Sequence, residues 1–169
     1  MLDWFKPKMA PEGPVEVELD TVIARSAAEI YPLVDFGDPR HHKAAVGTIT
    51  RTGPKRFDLL LDMMPDVTFP IVELKADPGR SYTIESVLPK ELGVRLERTV
   101  EAIVIEPLGA GSCKVTARTT AYFHPMKMKH FEYEVAVIAM ACKNSLSKLK
   151  IHAEQGVHAI REIEAWQAA

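Results

Sequence analysis

The sequence predicts an α+β domain: a curved antiparallel sheet of about seven strands wrapped around one long C-terminal helix. Two observations carry this. Strand and turn patterns fill residues 47–123 almost without interruption, whereas residues 128–166 contain no proline and a single glycine, Gly156. In that last segment Phe131, Val135, Ile138, Cys142, Leu146, Leu149, Ala153, Val157 and Ile160 recur at steps of three and four, one continuous apolar stripe. A long amphipathic helix following a run of strands must bury its stripe against their sheet. Where the sheet curves, a cavity opens between the two.

The elements follow in order. Val15, Val17, Leu19, Thr21 and Ile23 alternate with Glu16, Glu18 and Asp20, the period-2 mark of a half-buried strand. Ser26 and Glu29 then form a capping box that starts a short helix; Pro32 falls in its first turns and the helix is over by Gly37. Asp38-Pro39 opens a second turn or short helix through His41, His42 and Ala45. Strands are expected at 48–52 and 55–63, around Thr52-Gly53-Pro54-Lys55. The next, 67–75, contains Pro70, which implies an edge strand or a bulge. Ala76-Asp77-Pro78-Gly79-Arg80 has turn chemistry and leads into a strand at 81–88. Two long strands, 94–106 and 112–124, follow. In the second, Cys113, Val115, Ala117, Thr119, Ala121 and Phe123 share one face, opposite Lys114, Thr116, Arg118, Thr120 and Tyr122. The terminal helix would be about 55 Å long at 1.5 Å per residue, more than a small sheet needs. Gly156 therefore marks the point where a core-covering helix becomes an extension, either frayed or packed on a second subunit. The organisation read from the chain is an N-terminal arm (1–14), a domain (15–156) and a C-terminal helical extension (157–169). Trp4 and Phe5, in the arm, belong to a loose tail, pack on the body or touch a partner.

Composition excludes several classes. The chain has 169 residues, 47% of them hydrophobic, enough for one domain with a real core. A formal net charge of −2 argues against a nucleic-acid binder, which presents a strongly basic face. No apolar run approaches the ~18 residues of a membrane span, and residues 1–14 lack the apolar segment of a signal peptide; a soluble, cytoplasmic protein is expected. Cys113 and Cys142 lie in apolar-periodic segments and outside any CxxC, so buried free thiols are expected. No metal and no cofactor are expected: the histidine spacing is not HExxH, and there is no glycine-rich phosphate loop, nucleotide fingerprint or nucleophile elbow.

Several short motifs, in their order, resemble the START/polyketide-cyclase-like (SRPBCC, Bet v 1-like) superfamily over about residues 16–154. Ser26-Ala27-Ala28-Glu29-Ile30-Tyr31 is similar to its first helix, and Asp35-Phe36-Gly37-Asp38-Pro39 to the loop after it. Ala76-Asp77-Pro78-Gly79-Arg80 is similar to the turn before a central strand. Glu106-Pro107-Leu108-Gly109-Ala110-Gly111 with Val115-Thr116 matches the penultimate hairpin, and Leu146-Ser147-Lys148-Leu149-Lys150 with Glu154 the end of the terminal helix. Two departures stand out. His41 and His42 occupy the neighbourhood where many relatives carry a tryptophan, and the segment beyond Gly156 is extra. The resemblance implies a helix-grip fold whose cavity takes sterols, lipids, quinones or plant hormones, or cyclises polyketides; other members serve as co-chaperones.

The candidate cavity lining is Phe57, Leu59, Leu61, Tyr82 and Ile84, then Leu96, Arg98 and Val100, then Ala117, Thr119, Ala121 and Phe123, with Phe131, Val135, Ile138 and Cys142 from the helix. The small residues Ala117, Thr119 and Ala121 favour space over filling. Alternation with Leu96 and Val100 turns Arg98 inward, where it would clamp a carboxylate or phosphate; facing solvent or pairing with a nearby glutamate is its other reading. Tyr82 offers a hydroxyl. The resemblance places His41 and His42 at the cavity mouth, where a histidine can exchange protons near neutral pH. Three functions stay open: binding, or transport, of a small hydrophobic molecule such as a lipid, isoprenoid or polyketide; a polyketide cyclase/aromatase-like enzyme; and a protein-interaction module. A monomer or homodimer fits each. The basic side of the helix allows transient contact with an anionic membrane.

Overall fold

The computed structural model describes residues 8–168; Trp4 and Phe5 lie outside them. Seven strands form one antiparallel sheet: β1 (Val15–Ile23), β2 (Gly47–Gly53), β3 (Arg56–Leu61), β4 (Thr68–Asp77), β5 (Ser81–Val87), β6 (Leu96–Gly109) and β7 (Ser112–Phe123). Their spatial order is β1-β7-β6-β5-β4-β3-β2. β2 to β7 thus form a meander, and the first strand is added beside the last. Register shifts in β2, β4 and β6 supply the bulges that bend a sheet. Helix α1 (Ala27–Val34) follows β1, and α2 (Met128–Gln155) and α3 (Val157–Ala168) end the chain. This is the α+β helix-grip architecture.

Local chemistry explains the elements. The Glu29 carboxylate accepts from the Ser26 N–H at 2.9 Å and from its hydroxyl at 2.7 Å, closing the expected box at the start of α1. β1 alternates half-buried and exposed residues along its length and ends on the fully buried Ile23. Its junction with α1 is bolted to the far end of α2: Ala24 N–H donates to Glu154 Oε1 at 2.9 Å, and Lys150 Nζ donates to the Val22 carbonyl at 2.6 Å. Of the N-terminal arm, Met9 bridges Lys127 in antiparallel fashion just before α2. Pro70 occupies neither an edge strand nor a bulge. β4 is internal, and Pro70 pairs with Asp58 of β3 just before the β4–β5 ladder begins at Ile71. Its missing N–H therefore costs no ladder bond on the β5 side.

The core has two parts. Ile23, Ile30, Cys113 and Val115 are fully buried at one end with Phe57, Leu59, Ile71, Leu146 and Leu149. A smaller cluster of Leu96, Ala121 and Ile138, with Phe123 and Cys142 against it, closes the other end. Cys113 and Cys142 are both free thiols.

The terminal helix is two helices. Gly156 breaks it with φ 90° and ψ 177°, a conformation open essentially to glycine alone. Beyond it α3 neither frays nor reaches outward. It folds back on its own chain: Arg161 Nε donates to the Ala45 carbonyl at 3.2 Å, Glu164 pairs with Lys148 of α2, and Ile160 is buried. Gly156→Ala is accordingly expected to cost about 1–3 kcal/mol of stability, read by urea unfolding. Gly109→Ala, at a position with open space for a Cβ and no positive φ, should be near neutral; equal losses at both sites would remove the strain explanation.

Candidate ligand cavity

The inward face of the sheet is built in cross-strand rows. One row runs Ile84–Glu101–Thr119–Val17, and its neighbour Tyr82–Ile103–Ala117–Leu19. Where these rows meet α2 the side chains are too small to fill the gap. A cavity of about 330 Å³ results, enclosed by Ile84, Ile103, Ala117 and Thr119 on the sheet and by Ile138, Cys142, Leu146 and Leu149 on α2. Leu61, Val34 and Phe36 line one side, and Ile160 and Glu164 bring α3 into the wall.

Of the residues expected from the sequence, Leu61, Tyr82, Ile84, Ala117, Thr119, Ile138, Cys142, His41 and His42 line this space. Phe57 and Leu59 are buried in the larger core cluster instead. Leu96, Ala121 and Phe123 belong to the smaller cluster that seals one end, with Phe131 edge-on to Phe123 at 5.9 Å. Val135 lies outside the lining too, because the cavity sits further along α2 than the expected Phe131–Cys142 stretch.

Arg98 and Val100 do not face the cavity. A bulge between Leu96 and Arg98, where two steps on β6 oppose one on β7, shifts the alternation by one. Thr99, Glu101, Ile103 and Ile105 turn inward in their place. Arg98 lies on the outer face, its Nη1 2.8 Å from Glu85 Oε2 and its guanidinium 3.6 Å from the Tyr122 ring centre. Tyr82 gives its ring to the cavity, but its hydroxyl donates to Glu73 Oε2 at 3.1 Å. Burial, then the Glu73 charge, pushes that phenol far above its ordinary pKa.

The histidine pair forms part of the cavity wall. Asp35 Oδ1 accepts from the Gly37 N–H at 2.7 Å and Asp38 Oδ1 from the Arg40 N–H at 2.8 Å, two Asx turns that shape the loop. They deliver the buried His41 onto Phe36, with ring centres 4.1 Å apart. His41 Nδ1 accepts from the Lys43 N–H at 3.1 Å, which assigns its proton to Nε2. His42 stacks on His41 at 4.9 Å. Burial first, and neighbouring Lys43 and His152 after it, hold both imidazoles neutral, well below the ordinary 6.5.

Sequence reasoning missed Lys43 and Glu101. Glu101 comes inward between Ile84 and Thr119 and has no hydrogen-bond or ion-pair partner among the described residues. Cys142 Sγ donates to Thr119 Oγ1 at 3.3 Å, and burial raises its pKa, so it stays a thiol. Glu101 and Lys43 act on that thiol with opposite sign, which puts both charges near one part of the cavity. A signal for Glu101 was available: Ile103 and Ile105 are in phase with it and out of phase with Leu96. No group of His, Cys, Asp and Glu among the described residues is arranged to hold a metal, and no helix is long and apolar enough to cross a membrane.

Neither a protein-family model nor a curated protein matches the sequence. Solved structures do match the fold. Truncated norcoclaurine synthase from Thalictrum flavum is 12% identical with a TM-score of 0.59, over 89% of this chain and 98% of that one. Zhui aromatase/cyclase from Streptomyces sp. R1128 is 13% identical with a TM-score of 0.63, over 83% and 94%. The di-domain ARO/CYC StfQ from the steffimycin biosynthetic pathway is 19% identical with a TM-score of 0.60, over 83% of this chain and 50% of that one. The chain therefore has the helix-grip fold shared by Bet v 1-like and polyketide-cyclase-like proteins.

The neutral histidines set a pH dependence. Below about 6.5 the unfolded chain takes up protons that folded His41 and His42 refuse, and His152, also lowered by burial, adds the same sign. Stability is therefore full above the ordinary value and declines as pH falls through it. Urea unfolding between about pH 8 and about pH 5 reads the slope. His41→Asn, which retains an acceptor for the Lys43 N–H, should flatten it; an unchanged slope in that variant would show that His41 is not its source.

Proposed function

We propose that this chain binds a small, largely apolar molecule carrying one hydrogen-bond donor, its body between Ile84, Ile103, Ile138 and Leu149 and its donor at Glu101. One observation carries the reading: a carboxylate without a hydrogen-bond or ion-pair partner among the described residues stands inside a mostly apolar cavity of about 330 Å³. Mostly apolar walls with a few placed polar groups are the usual form of a small-molecule site. Each methylene transferred to such walls contributes about 0.8 kcal/mol, and a hydrogen bond to a charged group about 1.5–3 kcal/mol. Lipids, isoprenoids and polyketides all contain members that meet this description.

The convergence of Glu101, Lys43 and the neutral His41–His42 pair favours a second reading, an acid–base enzyme of the cyclase or dehydratase kind. Glu101 would accept a proton from carbon next to a carbonyl while Lys43 steadied the oxygen that becomes negative. The names of the structural neighbours lend this reading support by analogy of fold only.

Native mass spectrometry on protein purified from its own host, followed by denaturation and analysis of what is released, tests the first reading. A stoichiometric apolar compound is expected, and Ala117→Phe, which fills the cavity, should abolish it. Glu101→Gln is expected to weaken its rebinding about tenfold, close to 1.4 kcal/mol. A compound retained by Ala117→Phe would place binding elsewhere. Conversion of the released compound by wild type, with Glu101→Gln still binding it but turning it over at least ~100-fold more slowly, would select the enzyme.

A further inference from the structure

The first half of α2 is apolar on two sides. Its buried side meets the sheet through Ile138 and Cys142, yet Tyr133, Val137 and Met140 are 69%, 41% and 62% exposed. With Asn144 they are spaced four, three and four residues apart, the repeat of a helix–helix seam. Ala136 and Ala141, also exposed, flank the seam with side chains small enough for a second helix to approach. In the second half of α2, Lys148 pairs with Glu164 of α3. α3 partners that half and leaves this seam open.

We propose that this seam is the interface of a homodimer in which α2 packs antiparallel on α2 of a second copy. The stripe is complementary to itself in that direction. An antiparallel register that sets Val137 opposite Met140 also sets Tyr133 opposite Asn144, each pair occurring twice about the two-fold axis. Charge agrees. Glu132 and Lys143, both exposed, lie on the same flank of the helix, and an antiparallel pair brings like flanks together. Each Glu132 then approaches the Lys143 of the other copy, again twice. The opposite flank is already occupied by the ion pair between Glu134 and Arg95 at 3.4 Å. Ala141 and Asn144 also belong to the cavity lining, so the second copy would stand at the cavity's rim. That last consequence rests on the binding reading above; the dimer itself does not.

Light scattering across a dilution series, with the full chain and no ligand added, tests the interface. The mass is expected to approach twice the 18.8 kDa of one chain as concentration rises. Val137→Glu should raise the dissociation constant about 30-fold or more with an unchanged circular dichroism spectrum. Val104→Glu, at an equally exposed apolar site on the sheet, should leave it unchanged. Glu132→Lys and Lys143→Glu should each weaken the dimer, and the two together should restore it. A monomer at every concentration overturns the proposal, as does a dimer indifferent to Val137→Glu. Dimerisation that occurs only after removal of residues 1–7 also overturns it, and gives the stripe to the chain's own N-terminus.

Discussion

The cavity depends on one backbone irregularity. β6 is the longest strand, and the bulge between Leu96 and Arg98 decides which of its side chains face α2. Without that extra residue the strand would turn Arg98, Val100 and Ala102 toward the helix and expose Thr99, Glu101 and Ile103. A slip of one residue exchanges the two faces completely. With it, an arginine reaches Glu85 and Tyr122 on the outer face, and Glu101 turns into the cavity. The isoleucines beyond the bulge, Ile103 and Ile105, hold that register, because reversing it would expose both.

The second requirement is that the space stays open. Ala117 and Thr119 sit at the centre of the inward face, opposite Cys142, and no large side chain from α2 reaches between them. A dry, closed void of 330 Å³ would cost about 8 kcal/mol at the rate measured for engineered cavities. That is comparable to the whole stability of a domain. The cavity escapes most of this cost by being partly polar and in contact with solvent, so that water can occupy it. A residue set chosen only for stability would have filled the gap.

Much of this was legible in the chain. The Ser26–Glu29 box, the alternation of β1 and the unbroken inward set of β7 each required only local chemistry, and each forms as read. The departures have a common cause, which is that tertiary context decided them. Pro70 signals an edge only if its N–H would have met a partner, and the β4–β5 ladder starts one residue later. Arg98 reads as inward only if β6 keeps strict alternation. His41 and His42 look like loop residues until the Asx turns at Asp35 and Asp38 fold that loop under Phe36. Gly156 announced a break, but not that the helix beyond it returns to the same domain.

That return joins the two ends of the cavity wall. α3 supplies Ile160 and Glu164, and through Arg161 it holds the Ala45 carbonyl at the end of the turn that carries His42 and Lys43. Burial, and after it Lys43, disfavours a proton on His42. The part of the wall that carries His42 and Lys43 is tied through Arg161 to α3. The positive φ at Gly156 lets α3 reach that carbonyl and bring Ile160 and Glu164 into the cavity wall.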